Sequence, residues 1–433
     1  MRIKDQKPSL RMRVGRVILW LGVGSLLFVG LSLVSSYAEW FYGWTGLSSR
    51  EVRDDSGNLL TYYPAKTLWD WFELLLIPVV LTGGGIWFTR AENHLAREIE
   101  RKRVRENHKI EEERLKEVRD IERERAQDVI VKDYLDQMTG LLLSHGLRTS
   151  LAGDEVRSVA RARTLTALRG VDGGRKATIV QFLYEAQLIG GVYGSEETVD
   201  AVIQMQGADL SGADLNGAKL TRADLAEAKL AGANLNGSDL NEAKLTRADL
   251  NGAKLAGADL AEAKLNGAWL AVANLTGVKL VGANLAGASL AGAKLGVANL
   301  NGAKLTGAKL VGANLAVAKL IEADLAGADL TGADLAWAKL AWVKLEKAKL
   351  ERAKLERADL TGASLVGVSL AWAKLTGTDL TRTDLAWSRG LTLDQLLRAE
   401  SLHGADLPKY IDPADLGDLW SPPKDTNMPE PQP

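Results

Sequence analysis

The sequence predicts a solenoid of short β-strands over residues 203–388, preceded by an α-helical region that anchors the chain in a membrane and forms a stalk. The solenoid is predicted by a leucine at every fifth position from Leu210 to Leu385, 36 in succession. A fixed period marks a repeat architecture whose core is shared between neighbouring units. The anchoring region is predicted by two long apolar segments near the amino terminus.

The two apolar segments favour a pair of transmembrane helices. Residues 17–34 contain no charged side chain, and a bilayer-spanning helix needs about 20 mainly apolar residues. Residues 68–88 form the second candidate, with Asp70 and Glu73 near its start, where the membrane interface tolerates them. Basic residues precede the first segment and follow the second. The positive-inside rule therefore predicts a multi-pass inner-membrane protein, plasma or thylakoid, with both termini cytoplasmic.

This topology assigns the remaining amino-terminal residues. Residues 1–16 become a basic cytoplasmic terminus and residues 35–67 a short external loop. In an alternative, the first segment is a cleaved signal peptide, because the basic start, the apolar run and Ser36-Tyr37-Ala38 fit that pattern. Cleavage would leave residues 68–88 as a single span, and the sequence leaves both alternatives open.

A stalk and a small helical module are predicted next. Residues 89–128 predict a charged stalk helix, since residues 90–125 hold 12 basic and 11 acidic residues without proline or glycine. Acid-first pairs four residues apart, such as Glu98 and Lys102, stabilise a helix. Apolar positions recur without a regular heptad, so a coiled-coil dimer and a single helix both remain open. Residues 129–190 predict a module of three short helices.

The repeat itself indicates strands rather than helices. A period of five carries an apolar stripe steadily around a helix of 3.6 residues per turn. Alanine stands two positions before most of the leucines, so each unit alternates alanine inward, polar residue outward and leucine inward, as in a strand. Glycine dominates the last position of each unit, where we expect the backbone to turn a corner.

These units resemble the pentapeptide-repeat family, whose pattern is A(D/N)LXX. Ala208-Asp209-Leu210 and Ala233-Asn234-Leu235 match that pattern as they stand. The resemblance implies a right-handed quadrilateral parallel β-helix with one pentapeptide per side and four per coil, hence about nine coils. Residues 133–150 and 154–186 also resemble a module found between membrane segments and pentapeptide repeats in bacterial, notably cyanobacterial, proteins.

The ends of the predicted β-helix must be covered, because unpaired strand edges promote aggregation. Ile203 and Met205 are in phase with the inward positions and begin the first coil. Residues 389–419 predict a capping helix and segment, with Leu393 and Leu396 on an amphipathic lid. Residues 420–433 are rich in proline and predict a disordered tail.

Composition argues against several kinds of chemistry. The chain has no cysteine, which excludes disulfides and thiolate nucleophiles, and its four histidines are scattered. The carboxylates of the repeat face water, and no nucleophile stands beside a base. We therefore predict no enzyme activity, no metal site and no cofactor. The structural core of the repeat is represented by five leucines: Leu210, Leu215, Leu220, Leu300 and Leu385.

The surface predicts a scaffold or protein-interaction protein that presents a rigid rod to the cytoplasm. Candidate partner contacts are Trp337 and Trp342, because exposed aromatic residues are enriched in interfaces, with Lys349 and Lys354 beside them. The predicted partners are the lipid bilayer, an unknown protein and, through the stalk helix or a β-helix end, a second copy. In the alternative, the rod mimics DNA and binds a topoisomerase. Residues 207–387 hold 19 acids and 21 bases, which disfavours that alternative and nucleic-acid binding.

Overall fold

The computed structural model describes residues 50–63, 68–190 and 201–422, which fall into two compact units divided at Lys116. The first unit contains a β-hairpin, where the sequence predicts only a connecting loop. Strands β1 (Arg50–Arg53) and β2 (Leu59–Tyr63) pair antiparallel. The Asp54 carboxylate accepts the backbone N–H groups of Ser56 and Asn58, which closes the turn between them.

Helix α1 (Leu68–Ser144) is 77 residues long and continues from the second apolar segment through the charged stretch. Pro78 lies inside this helix without ending it, and the Thr82 hydroxyl donates to the Pro78 carbonyl at 2.5 Å. Side chains of residues 81–126 are exposed. The predicted boundary between an apolar segment and a stalk is therefore a change in composition within one helix.

The predicted membrane localisation is wrong, because no helix in the described residues is long and apolar enough to cross a bilayer. Between Glu73 and Arg90 the second apolar segment offers only 16 residues, 74–89, against the roughly 20 that a span needs. Those 16 include Pro78, Thr82 and three glycines. The first segment, residues 17–34, lies outside the described residues.

The second unit begins with a helical module formed by the end of α1, α2 (Glu155–Gly170) and α3 (Gly173–Glu185). Their shared core includes Met138, Leu168 and Ile179, each fully buried. The Tyr134 hydroxyl lies 2.9 Å from that of Thr164 within this core, and burial raises the pKa of the tyrosine. A short 3₁₀ turn, Leu147–Thr149, connects α1 to the loop before α2.

The predicted β-helix of pentapeptide repeats is confirmed. Parallel bridges join the residue before each leucine to the residue twenty positions later, from Asp209 with Lys229 to Ser369 with Arg389. An offset of twenty with a period of five gives four sides per coil. The leucines and the residues two before them fill the interior, nearly all of them at 0–2% exposure. Burying each leucine contributes about 1.5–3 kcal/mol relative to leaving it in water.

Backbone hydrogen bonds connect each coil to the next at three points per side. On one such side the Leu210 N–H donates to the Lys229 carbonyl at 2.8 Å, and the Lys229 N–H donates to the Ala208 carbonyl at 2.9 Å. The Gly212 N–H donates to the Ala231 carbonyl at 3.0 Å. The same three bonds recur along the solenoid. Three of the five N–H groups of each unit thus donate to a neighbouring coil, and the alanine N–H donates within its own coil to the preceding leucine, as Ala213 does to the Leu210 carbonyl at 3.0 Å.

Every corner requires a left-handed backbone. The residue two positions after each leucine from Leu210 to Leu385 has a positive φ, as at Gly232 with φ 67°. Most corner glycines would have nothing within 4 Å of an added Cβ, so space does not select glycine there. The positive φ selects glycine, because a residue with a side chain is strained in the left-handed region.

The helical module covers the first coil. The carbonyl of Gly173, the first residue of α3, accepts the Asp214 N–H at 3.0 Å, and a Cβ on this glycine would lie 2.2 Å from the Gly212 carbonyl oxygen. The Lys176 ammonium, 8% exposed, donates to the Asp209 carboxylate at 3.2 Å and to the Ser211 carbonyl at 3.1 Å. Hydrogen bonds and charge thus replace the partners that a preceding coil would supply.

Residues 389–421 cover the last coil. Helix α4 (Leu393–Leu396) is shorter than the predicted lid, and its Gln395 side chain donates to the Leu370 and Ala373 carbonyls at 3.1 and 2.7 Å. Strand β3 (Leu402–His403) pairs in parallel with β4 (Trp420–Ser421). The 3₁₀ segment Pro413–Leu419 joins these two strands. Residues 423–433 of the predicted tail lie outside the described residues.

Asp209→Asn is expected to lower the free energy of unfolding by about 1–3 kcal/mol, because it leaves the buried Lys176 ammonium with neutral acceptors and no charged partner. Burial raises the pKa of Asp209, but hydrogen bonds from Ser211 and Lys176 lower it further, so the net shift is downward. The carboxylate therefore stabilises the fold above the ordinary pKa of about 3.9, and this contribution is lost as pH falls through the lowered value. Urea unfolding at neutral pH and at pH about 3 checks both points.

The matched control is Asp334→Asn, whose partner Lys354 is half-exposed at 3.2 Å. An exposed pair of this kind is worth roughly 0–1 kcal/mol. Equal losses for the two variants at neutral pH would contradict the role of Asp209 in holding the helical module. A loss for Asp209→Asn that persists unchanged at acidic pH would contradict the titration.

Candidate functional site

The outer surface of the β-helix is built from two kinds of position. The residue before each leucine lies on a flat side, and the residue two after each leucine lies at a corner. Residues twenty apart stack in neighbouring coils. The side positions form four side columns and the corner positions form four corner columns. Any cluster that binds a partner must be assembled from neighbours in these columns.

The five leucines predicted as structural core lie inside the solenoid. Each has no more than 1% of its surface exposed: Leu210, Leu215, Leu220, Leu300 and Leu385. They contribute to the fold and leave the side and corner columns to carry any binding function.

The two lysines predicted as partner contacts are paired within their own side columns. The Lys349 Nζ lies 3.6 Å from the Asp329 carboxylate, and that of Lys354 lies 3.2 Å from Asp334. Burial raises the pKa of Asp329, while hydrogen bonds from Thr331 and the charge of Lys349 lower it, so the net shift is downward. The lysines of this coil are thus partly neutralised by acids of the preceding coil.

The two predicted tryptophan contacts lie on adjacent corners of one coil. Both rings are about half exposed. The Arg357 guanidinium lies over the Trp337 ring, 4.6 Å from its centroid, and the Trp342 ring lies where a Cβ on Gly362 would approach within 2.6 Å. Trp372 and Trp387 occupy the other two corner columns. The structure therefore separates the four tryptophans rather than bringing them together.

Seventeen corner residues of the solenoid are not glycine although their φ is positive. A side chain in this conformation costs roughly 1–2 kcal/mol relative to the right-handed region. Some of the charged ones are paired along their column, as Arg222 is with Glu242 at 2.9 Å. The apolar ones are exposed: Val272, Val297, Val317, Trp337, Trp342, Trp372 and Trp387. Folding alone does not favour these residues at corners.

A second feature of the surface is hidden when the charge is averaged over the whole solenoid. Residues 263–321, nearly three coils, contain no aspartate or glutamate. We call this segment the acid-free belt. It carries six lysines, of which only Lys279 forms an ion pair among the described residues, with Asp259 at 3.3 Å: Lys264, Lys279, Lys294, Lys304, Lys309 and Lys319. Sequence reasoning missed the belt, although reading the residue before each leucine in order reveals it.

Within residues 50–63, 68–190 and 201–422, no group of three or more histidine or acidic side chains is arranged to hold a metal ion. The acidic side chains of the solenoid that pair do so chiefly with lysines or arginines of a neighbouring coil. What the surface offers is a rigid display of apolar corners and of paired and unpaired lysines, an arrangement suited to contact with another macromolecule.

Comparison with known proteins places the repeat in a family. The family Pentapeptide repeats (8 copies) matches residues 203–241, 238–277, 270–307, 298–336, 338–377 and 363–386. Among solved structures, the chain is similar to HetL of the cyanobacterium Nostoc, a pentapeptide repeat protein involved in heterocyst differentiation regulation. The two are 39% identical over 48% of this chain and 92% of HetL, with a TM-score of 0.46.

Two further solved structures show similarity. Rfr23 of the cyanobacterium Cyanothece is 39% identical over 22% of this chain and 62% of its own, with a TM-score of 0.20. QnrB1, a plasmid-mediated fluoroquinolone resistance protein, is 18% identical over 44% of this chain and 87% of its own, with a TM-score of 0.29. No curated protein matches the chain.

Proposed function

We infer that this chain, which belongs to the pentapeptide-repeat family, is a non-enzymatic scaffold whose β-helix binds a protein partner. The observation that carries the proposal is the set of exposed valines and tryptophans at strained corners. An exposed tryptophan ring contributes little to the stability of the fold. Glycine at the same corner would avoid the strain of the left-handed backbone. Aromatic side chains are also enriched where proteins meet.

Rigidity of the display supports the same proposal. The corner residues are attached to coils that share three backbone hydrogen bonds per side, and their leucine core is fully buried. A surface that is already ordered loses little conformational entropy when a partner binds. A regular solenoid therefore suits a scaffold better than it suits a site that must close around a substrate.

The charge pattern supports a protein partner over imitation of DNA. A protein that mimics DNA needs regular negative charge along its length, and the acid-free belt interrupts any such pattern for nearly three coils. HetL is involved in regulating heterocyst differentiation. A regulatory contact made by the β-helix of this chain is consistent with that relative.

A photo-cross-linking amino acid placed at single corners of the full-length chain tests the proposal. Incorporation at Val297, Trp342 or Trp372 in the native cells is expected to give covalent adducts with one recurring protein at a subset of corners. The reason is that a specific partner covers some corner columns and leaves others in water. Mass spectrometry of the adducts identifies the partner.

Incorporation at Leu151, an exposed residue in the loop before α2, serves as the control for random collision. Adducts of equal yield and composition at every position, including the control, would contradict a specific scaffold. The proposal would also be contradicted if none of the corner positions gave an adduct.

A further inference from the structure

One corner column carries three apolar side chains in succession. Val297, Val317 and Trp337 stand twenty residues apart, so they occupy the same corner in three consecutive coils. The Val297 N–H donates to the Ala316 carbonyl at 3.0 Å and the Val317 N–H to that of Ala336 at 2.9 Å, which places these coils side by side. Their exposed fractions are 57%, 51% and 54%. We call these three residues the ridge.

The ridge is continuous because corner side chains lean toward the next coil. A Cβ on Gly292 would lie 3.3 Å from a methyl carbon of Val272, and one on Gly377 would lie 3.2 Å from Cγ of Arg357. Each corner side chain thus lies over the corner position twenty residues later. With neighbouring strands about 4.8 Å apart, the ridge spans roughly 10 Å between its first and last residues.

Small residues widen the apolar strip beside the ridge. Gly296, Ala316 and Ala336 directly precede the three ridge residues and are half-buried. The ridge therefore rises beside a shallow track, and the two columns together form an uncharged strip long enough for two turns of a helix.

Lysines flank this strip on both sides. Lys294 lies on the side before the corner, and Lys319 and Lys339 lie on the side after it; all three are exposed. None of the three has an ion-pair partner among the residues that the structure describes. Two of them belong to the acid-free belt, and Asp334, which lies on the side before Trp337, pairs with Lys354 at 3.2 Å rather than with any of the three.

We propose that the ridge and its flanking lysines bind an acidic amphipathic segment of a protein partner. Its apolar side chains pack on Val297, Val317 and Trp337, and its carboxylates pair with Lys294, Lys319 and Lys339. The inference rests on the proposed scaffold function and specifies the surface and the chemistry of the partner. Charge complementarity selects an acidic partner and speeds its association.

The ridge favours a protein over a nucleic acid. Single-stranded nucleic acids are held by aromatic platforms and basic grooves. Two of the three ridge side chains are valines, which offer no flat face on which a base stacks, and the Arg357 guanidinium already lies over the Trp337 ring, 4.6 Å from its centroid. The belt contains no arginine, the residue that contacts phosphates with two parallel hydrogen bonds. A hydrophobic strip between lysines instead matches a helix that is apolar on one face and acidic on the other.

Fluorescence anisotropy with the full-length chain and a defined peptide tests the proposal. The probe is a fluorescein-labelled helical peptide of about five turns, with leucine on one face and glutamate on the other. A matched peptide carries lysine in place of glutamate. The triple variant Val297→Gly, Val317→Gly, Trp337→Gly removes the ridge while giving each corner the residue that its backbone favours. The triple variant is therefore expected to have a thermal unfolding midpoint equal to or above that of the unaltered chain.

The expected result is binding of the acidic peptide and not of the basic one, weakened about tenfold or more in the triple variant. The control Val272→Gly makes the same kind of substitution on another corner column, where φ is 51°, and is expected to leave binding unchanged. Lys294→Gln with Lys319→Gln is expected to weaken binding and to reduce its salt dependence.

Several outcomes would overturn the inference. These are equal binding of the two peptides, no binding of the acidic peptide up to about 1 mM, or an equal loss in Val272→Gly. If a single-stranded oligonucleotide bound more tightly than the acidic peptide, and the triple variant bound it equally well, the acid-free belt would be a nucleic-acid site instead. Cross-linked adducts at corners outside the ridge, with none at Val297, would refute the ridge and leave the scaffold function standing.

Discussion

Replacing Leu300 by alanine is expected to lower the free energy of unfolding by about 3–5 kcal/mol. Leu300 is fully buried and stacks between Leu280 and Leu320, the leucines of the adjacent coils. The surrounding backbone is held by the hydrogen bonds between coils, so the walls of the new cavity cannot collapse inward. Most of the lost volume then remains as an empty space that destabilises the fold.

Chemical denaturation of the full-length chain measures this effect. Leu300→Met keeps the volume and is expected to cost less than about 1.5 kcal/mol. Val281→Ala, at a partly exposed position of an adjacent coil, controls for the loss of apolar atoms at the surface. A loss below about 1 kcal/mol for Leu300→Ala, or one no larger than that of Val281→Ala, would contradict a tightly packed interior.

Deletions are expected to have the second large effect, and their length decides the outcome. Removing Leu300 alone leaves residues on either side of the deletion nineteen rather than twenty positions apart, so the coil that spans it falls out of register with its neighbours and the inward and outward residues no longer match there. We expect this variant to be insoluble or unfolded. Removing residues 281–300 takes out one whole coil, and each remaining residue keeps a partner twenty positions away. We expect that variant to fold cooperatively, with a midpoint within a few degrees of the unaltered chain.

A deletion of five residues, 296–300, is the informative control. It preserves the leucine period but moves every later corner column by one side, so the ridge is broken while the core stays intact. Circular dichroism and size-exclusion chromatography compare the three variants. Loss of fold in both the five- and the twenty-residue deletions would show that the coils are not interchangeable, contrary to the repeating hydrogen bonds of the structure.

The solenoid was predictable because its information repeats in every unit. Leucine and alanine recur at fixed positions, so one inference about inward and outward residues holds for 36 units at once. The position of glycine at corners was also predictable, but the reason lies in the left-handed dihedral angle rather than in crowding. The hairpin at residues 50–63 has no such repetition, and the sequence predicted only a loop there.

The amino-terminal errors and the missed features of the surface have separate causes. The apolar density of residues 68–88 predicts a transmembrane span, whereas the charges at Glu73 and Arg90 leave too short an apolar interval between them. The net charge of the solenoid was averaged over all coils, which concealed the acid-free belt. Trp337 was selected for its exposure, but its relation to Val297 and Val317 depends on the twenty-residue offset and emerges only when the columns are aligned.

The twenty-residue offset between bonded neighbours has a consequence for how the solenoid forms. Each coil closes a chain segment of the same length, so the entropy lost on closure is about equal for every coil. No distant part of the chain must be found before the first contacts are made, so the relative contact order of the solenoid is low. Folding can thus start at any coil and propagate in both directions until it reaches the two covered ends. A nascent chain that has emerged only in part can already hold completed coils.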